Sequence, residues 1–342
     1  MFEYNPSEIA AVGIGSAGSK IVSLLSKRSL LVDRFAYVSC DKGDLDAAGP
    51  EEAILVESPV DQKLTPSMVR GLALSSHSRI RDAVSSSRVV FVVAGLGGAT
   101  GSGLSPVVAS IARDCGATTV GVAVMPFEFE KKMKFYAGVA LKRLRAASRG
   151  VIVIDNETLM RSSPDDSTLT GVYESANTEA VKALGSLLSK SSETSISVGL
   201  NKILGTVLQD GYSLLGVSSS GSVDKAEEAL AGAVVSIGKL AETKEANRAV
   251  VVLHGDSSLS GQEVGIVVKR LGSMINNQSV DVEYGVNYSG SRQLQASLLA
   301  SGFHSTKYDE YDPLDRALGG RTIDDEMDTS LPEGLEALQS CD

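Results

Sequence analysis

Residues 89–106, VVFVVAGLGGATGSGLSP, constrain this chain more than any other stretch. Val89 to Val93 is an apolar run without alternation, the pattern of a strand buried on both faces of a parallel sheet. It ends in Gly95, Gly97, Gly98, Gly101 and Gly103, interleaved with Ala99, Thr100 and Ser102, and Pro106 is expected to open a helix over VVASIARDCG. Strand, glycine loop and helix N-terminus together form an anion cradle. Glycines let backbone N–H groups approach a phosphate, hydroxyls add donors, and the helix dipole favours negative charge. A glycine-rich turn with no ligand is the plainer alternative, but GGATGSG is denser in glycine than a turn requires.

A second glycine loop stands earlier. Ile9–Ile14 reads as a short buried strand running into GIGSAGSK, where Gly13, Gly15 and Gly18 spell G-x-G-x-x-G. Alone, this points to a nicotinamide or flavin enzyme. Arg34 to Cys40 is the expected second strand, with Asp41 at its end as a ribose carboxylate would be. Ala53–Val56 reads as a third strand and Thr65–Val84 as one helix. Thr118–Met125 and Val151–Asp155 are further strands, separated by a basic amphipathic helix over Lys131–Arg149 with Phe135, Val139, Leu141 and Leu144 inward. The alternation predicts a doubly wound parallel sheet with ligands at the carboxyl ends of its strands. A long helix is expected from Leu169 to about Lys190. A smaller α/β unit with half-exposed strands follows: a segment at Gly205–Val217, helices over Asp224–Ile237 and Gln262–Ile275, and strands at Ala249–His254 and Val280–Tyr288. From Thr306 the chain has eleven acidic residues against three basic ones, which predicts a mobile tail.

Composition removes several function classes. A net charge of −10 over 342 residues argues against a nucleic-acid binder. No apolar run is long enough to span a membrane, and MFEYNPSE lacks the basic and apolar regions of a signal peptide, so a cytoplasmic location is expected. Cys40, Cys115 and Cys341 show no pairing pattern, which fits a reducing compartment. His77, His254 and His304 are isolated, and no metal site is expected.

Two glycine loops about 80 residues apart do not suit a nicotinamide enzyme, which has one. GGATGSG resembles the tubulin/FtsZ signature GGGTG[ST]G, with Ala99 in the place of the third glycine, and the likeness runs over roughly residues 9–300. The chain is therefore similar to a divergent FtsZ. The resemblance implies a Rossmann-like parallel-sheet GTP-binding domain at 1–168, a central helix at 169–192, a C-terminal α/β domain at 193–305 and the acidic tail at 306–342. It also implies GTP or GDP as ligand, with Mg2+ accompanying GTP. Carried over by position, the first loop supplies Gly13, Gly15, Ser16, Ala17 and Lys20, where the family usually has Asn for the last. Ser39–Asp41 matches the loop after the second strand, contributing Asp41. Gly97, Gly98, Ala99, Thr100, Gly101, Ser102 and Gly103 match the α- and β-phosphate cradle. In MPFEFEKKMK, Pro126 belongs to the matched motif, Glu130 matches the ribose carboxylate and Lys134 stands for an arginine. Asn156 matches a guanine contact; Tyr173 and Asn177 match the residues that pack on and bond the base. Singly, Asn156 reads as a cap, Tyr173 as a core aromatic, Glu130 and Lys20 as solvated charges. Their occurrence in family order is the argument for a site.

Two departures bear on turnover. The family's loop after the central helix carries carboxylates that orient water against a neighbouring subunit's γ-phosphate. Registered on Gly211, the polar positions here fall on Ser197, Gly199 and Lys202. A lysine has donors and no acceptor, so it cannot orient that water. The γ-phosphate loop also differs, since QKLTPSM keeps Pro66 but lacks glycine and asparagine. The resemblance thus implies a nucleotide-dependent, filament-forming protein of cell division or the cytoskeleton with impaired hydrolysis. It would associate head to tail with itself or co-assemble with a relative, and Leu331–Ser340 would either dock a membrane-adaptor protein or belong to a disordered acidic tail with no partner. An active treadmilling GTPase and a non-filamentous nucleotide-binding regulator or scaffold are the alternatives.

Overall fold

Ten strands form one continuous sheet in a computed structural model that describes residues 8–46, 52–58, 63–159, 168–190, 195–222, 224–256, 259–288 and 293–311. The strands are β1 (Ile9–Ile14), β2 (Arg34–Ser39), β3 (Ala53–Leu55), β4 (Val89–Gly95), β5 (Thr118–Met125), β6 (Gly150–Asp155), β7 (Tyr212–Ser220), β8 (Arg248–Gly255), β9 (Asp281–Tyr288) and β10 (Leu294–Phe303), in the order β3-β2-β1-β4-β5-β6-β7-β10-β8-β9. Pairing is parallel from β3 through β7, antiparallel on both sides of β10, and parallel again between β8 and β9.

Side-chain alternation sends each strand's residues into one of two cores. Ala10, Val12 and Ile14 face a core shared with α2 (Pro66–Leu72), α3 (His77–Val84), α4 (Ala99–Asp114), α5 (Lys131–Ala147), α9 (Lys225–Gly238) and α10 (Gly261–Met274). Ile9 and Ala11 face the other, closed by α1 (Gly15–Ser26), α7 (Leu169–Leu187) and α8 (Leu200–Val207). Between β6 and α7 lies the short α6 (Asn156–Leu159). Both faces are thus covered, which is why the inner strands read as unbroken apolar runs.

Several expected boundaries move. The helix expected from Pro106 starts at Ala99, and Pro106 lies inside it. Gly97 turns the chain with φ +105°, so the glycine loop is already the first turn of α4; Pro106 removes only one intrahelical hydrogen bond. The single helix expected over Thr65–Val84 is α2 and α3 joined by a 3-10 turn, Ala73–Ser76, with Thr65 Oγ1 accepting from the Met68 amide at 3.4 Å. Gly205–Val217 divides into the end of α8 and the start of β7 around Gly211 at φ +92°. The strands of the second half are not all half-exposed: β10 is buried along its whole length between β7 and β8.

The start of the acidic tail is packed. Residues 307–311 form a 3-10 turn whose Tyr308 is fully buried, its hydroxyl donating to Asp155 Oδ2 at 3.1 Å, while the Lys307 ammonium pairs with the same carboxylate. Leu331–Ser340 lies outside the described residues. Among the described residues no helix is long and apolar enough to cross a membrane, and no group of His, Cys, Asp and Glu is arranged to hold a metal ion.

Candidate functional site

The carboxyl ends of β1, β4, β5 and β6 open into a cavity of about 650 Å3. Its floor is made by two helix N-termini. α1 begins at Gly15 and α4 at Ala99, and neither has a side-chain cap or an acidic residue in its first turn. Two sets of free backbone N–H groups, each at the positive end of a helix dipole, therefore converge on one space. That geometry suits an anion with several oxygens.

Glycine is what allows the two loops to nest. A Cβ at Gly18 would collide with the Val93 carbonyl, and one at Gly101 with the Gly95 carbonyl. Gly98 is different: a Cβ there would meet nothing, because it borders the cavity. Ser102 Oγ accepts from the Gly97 amide at 2.8 Å and holds the turn from behind.

The opposite end of the cavity is built by β5, β6, α5 and α7. Glu130 Oε2 accepts from the Phe127 amide at 2.8 Å, and Glu130 Oε1 accepts from the Tyr173 hydroxyl at 2.5 Å, joining residues 43 positions apart. Phe127 meets the Tyr173 ring edge-on at 5.3 Å. Burial, then the hydrogen bond and charge of Glu130, push the Tyr173 phenol well up, so it stays a neutral donor. Asn156 is buried, lines the cavity, and its Oδ1 has no hydrogen-bond partner among the described residues. A buried acceptor without a donor is costly, and a ligand N–H is the natural remedy.

Of the residues singled out in the sequence, the cavity brings together Gly15, Ser16, Ala17, Lys20, Asp41, Gly98, Ala99, Thr100, Gly101, Pro126, Glu130, Asn156, Tyr173 and Asn177. It does not reach Gly13, Gly97, Ser102, Gly103 or Lys134. Gly13 supports from β1, Gly103 packs under Pro66 and Val69, and Lys134 sits 5.1 Å over the Tyr311 ring instead of at the cavity. Residues missed include Asp44, Met133, Thr170 and Glu174. Thr170 and Glu174 share a helix face with Tyr173 and Asn177, so the 3.6-residue period was a usable signal for them. Asp44, which accepts from the buried Ser39 hydroxyl at 2.6 Å, had no such signal.

Ser197, Gly199 and Lys202 lie outside this cavity. Gly199, at φ +81°, caps α8, and the Lys202 ammonium pairs with Glu283 of β9 at 2.6 Å.

A guanine nucleoside diphosphate fits the donor set. The helix N-termini suit the phosphates, and the unpartnered Asn156 oxygen beside the Tyr173 ring suits the N–H edge of a planar base. Removing the Asn156 amide separates ligand from fold. Asn156→Leu is expected to leave the ligand-free protein as stable or more stable, while guanine-nucleotide affinity falls about tenfold or more. Chemical denaturation and a nucleotide titration read the two effects.

Comparison with known proteins points the same way. The family model described as "Tubulin/FtsZ family, GTPase domain" matches residues 64–164. The cell division protein FtsZ of Rickettsia bellii is 25% identical over 335 residues, covering 94% of this chain and 72% of the relative. The empty FtsZ dimer of M. jannaschii superposes with a TM-score of 0.76 at 26% identity, over 86% of this chain and 88% of that one. The GTPγS-bound protofilament of CetZ2 from Haloferax volcanii superposes with a TM-score of 0.71 at 21% identity, over 91% and 99%; at that identity it supports the fold alone. Sheet order, glycine loops, family model and relatives agree: the chain has the tubulin/FtsZ fold and is similar to FtsZ over most of its length.

Proposed function

We propose that this protein binds GTP or GDP in the cavity at the ends of β1, β4, β5 and β6, and assembles head to tail into filaments with impaired hydrolysis. The observation that carries the reading is the pairing of two uncapped helix N-termini with an unpartnered buried Asn156 at the far end of one cavity. In this reading the first turns of α1 and α4, from Gly15–Ala17 and Gly98–Gly101, receive the phosphates, with Lys20 nearby. Glu130, held by Phe127 and Tyr173, accepts from the ribose hydroxyls. Asn156 and Asn177 bond the base and the Tyr173 ring packs on it. Mg2+ is needed only with the triphosphate, where it screens the added charge.

The assembly reading rests on the likeness to FtsZ of M. jannaschii, whose structure is a dimer. The hydrolysis reading rests on residue type. Lys202 offers donors only, and its ammonium is engaged by Glu283. Light scattering with and without GTP tests assembly, and growth only with GTP is expected. Phosphate release that rises with protein concentration would establish the treadmilling GTPase instead; nucleotide binding with no polymer would establish the regulator or scaffold.

Lys202→Asp is expected to weaken GTP-dependent assembly or to introduce turnover. The Lys202–Glu283 pair is about half exposed, so its loss costs at most about 1 kcal/mol and the variant will fold. Glu283→Gln, which also breaks the pair, is the control. Unchanged assembly and turnover in Lys202→Asp would show that α8 does not face a neighbour's nucleotide.

A further inference from the structure

A second cavity, of about 530 Å3, lies away from the nucleotide site, where α7 crosses the sheet beside the end of α1. We infer that it is a binding site for a small phosphate-bearing molecule. This inference does not depend on the nucleotide reading.

The sheet side of the cavity is unusual for a covered sheet. Ser219 of β7 pairs with Gln295 of β10, Gln295 with His254 of β8, and His254 with Asn287 of β9. Directly paired residues share a face, so four neighbouring strands present a polar row at one level. Two and four positions before His254, on the same face, Val252 and Val250 lie in the apolar core under α7 and α8. The row therefore interrupts a greasy surface where the cavity begins. Asn287 is locked there, its Nδ2 donating to the Ser186 carbonyl at 3.1 Å and its Oδ1 accepting from Ser189 at 3.2 Å.

The opposite wall is cationic. Arg28, Lys182 and Lys190 line it, across the cavity from His254. Lys182 is paired with Glu179 at 2.6 Å and Lys190 with Asp33 at 3.0 Å. Arg28 has no acidic partner among the described residues, and its guanidinium lies against Gly185, where a Cβ would come within 3.1 Å of Nη1. The absent side chain at Gly185 makes room for that planar head in the cavity. A guanidinium without an acidic partner among the described residues, with the hydroxyls of Ser29, Ser195 and Ser219 lining the same cavity, suits a tetrahedral oxyanion, which needs several donors at once. The charge is felt locally: burial first, then Arg28 and Lys182, push the His254 imidazole below its usual range.

The test uses the whole protein with labelled histidine, titrated by NMR in inorganic phosphate and in sodium chloride of matched ionic strength. A bound phosphate favours the charged imidazole, so the His254 midpoint should rise with phosphate and not with chloride, while His77 and His304 stay where they are. Arg28→Ala should raise the phosphate concentration for half the effect about tenfold or more, and Arg28→Lys, which keeps charge but loses the fork, should fall between. An equal rise in chloride, no rise at all, or a rise indifferent to Arg28→Ala would each overturn the assignment.

Discussion

Lys307→Met is expected to destabilise the protein by about 3 kcal/mol, although Lys307 follows the last strand and lies in a segment that reads as tail. The reason is Asp155. Its side chain is 1% exposed, and the Lys307 ammonium is the cation paired with it. Removing the cation leaves a buried charge with only hydrogen bonds, from Tyr308 Oη at 3.1 Å and the Glu157 amide at 2.8 Å. Those bonds place the cost at the lower end of the range for broken buried pairs. Asp155→Asn in the same background should restore much of the loss, because the unpaired charge is gone. Denaturant midpoints of the two single variants and the double variant read the coupling. Independent, additive effects would mean the pair is not what docks residues 306–311. Asp155 also precedes Asn156 and its carboxylate caps the turn that carries it, so the docked segment supports from behind the cavity wall that holds Asn156.

The second large effect is at the glycine loop, where two neighbouring positions should fail in different ways. Gly101→Ala places a Cβ on the Gly95 carbonyl, so α4 must shift from β4. Stability should fall by about 1–3 kcal/mol or more, and nucleotide affinity with it, since the first turn of the helix moves. Gly101→Trp should abolish binding altogether. Gly98→Ala meets no protein atom and Gly98 has φ −79°, which any residue adopts. Its stability should stay within about 0.5 kcal/mol of the parent. Its nucleotide affinity should nevertheless fall, because the added methyl group borders the cavity. Thermal denaturation with equilibrium binding separates the two. Full affinity in Gly98→Ala together with full affinity in Gly101→Trp would remove the phosphates from this loop.

Much of this arrangement was legible in the chain. The runs Val89–Val93 and Thr118–Met125 have no polar alternation because helices cover both faces of β4 and β5, and their glycine-rich ends marked the site. Asn156, Tyr173 and Glu130, each ambiguous alone, meet in one cavity. What was illegible had local signals that tertiary context overrode. LQASLLASGF contains no β-branched residue and shows no clean period, yet it is the buried strand β10, because strand preference follows packing against neighbours more than intrinsic tendency. Pro106 looked like a helix start because proline favours first turns, but α4 had already begun at Ala99 on glycines. Acidic composition after Thr306 concealed Tyr308, whose burial depends on the partner at Asp155, more than 150 positions away. Lys134 was matched by position to a ligand contact, and its aromatic neighbour Tyr311 is still farther away in sequence.

The central claim is guanine-nucleotide binding, and the most direct test is the identity and phosphorylation state of the nucleotide held by the purified protein. Protein released by denaturation and resolved by chromatography should yield guanine nucleotide near one equivalent per chain, with loaded GTP recovered largely unconverted. Protein that retains no guanine nucleotide and takes up none, or that carries a nicotinamide dinucleotide in its place, would contradict the account.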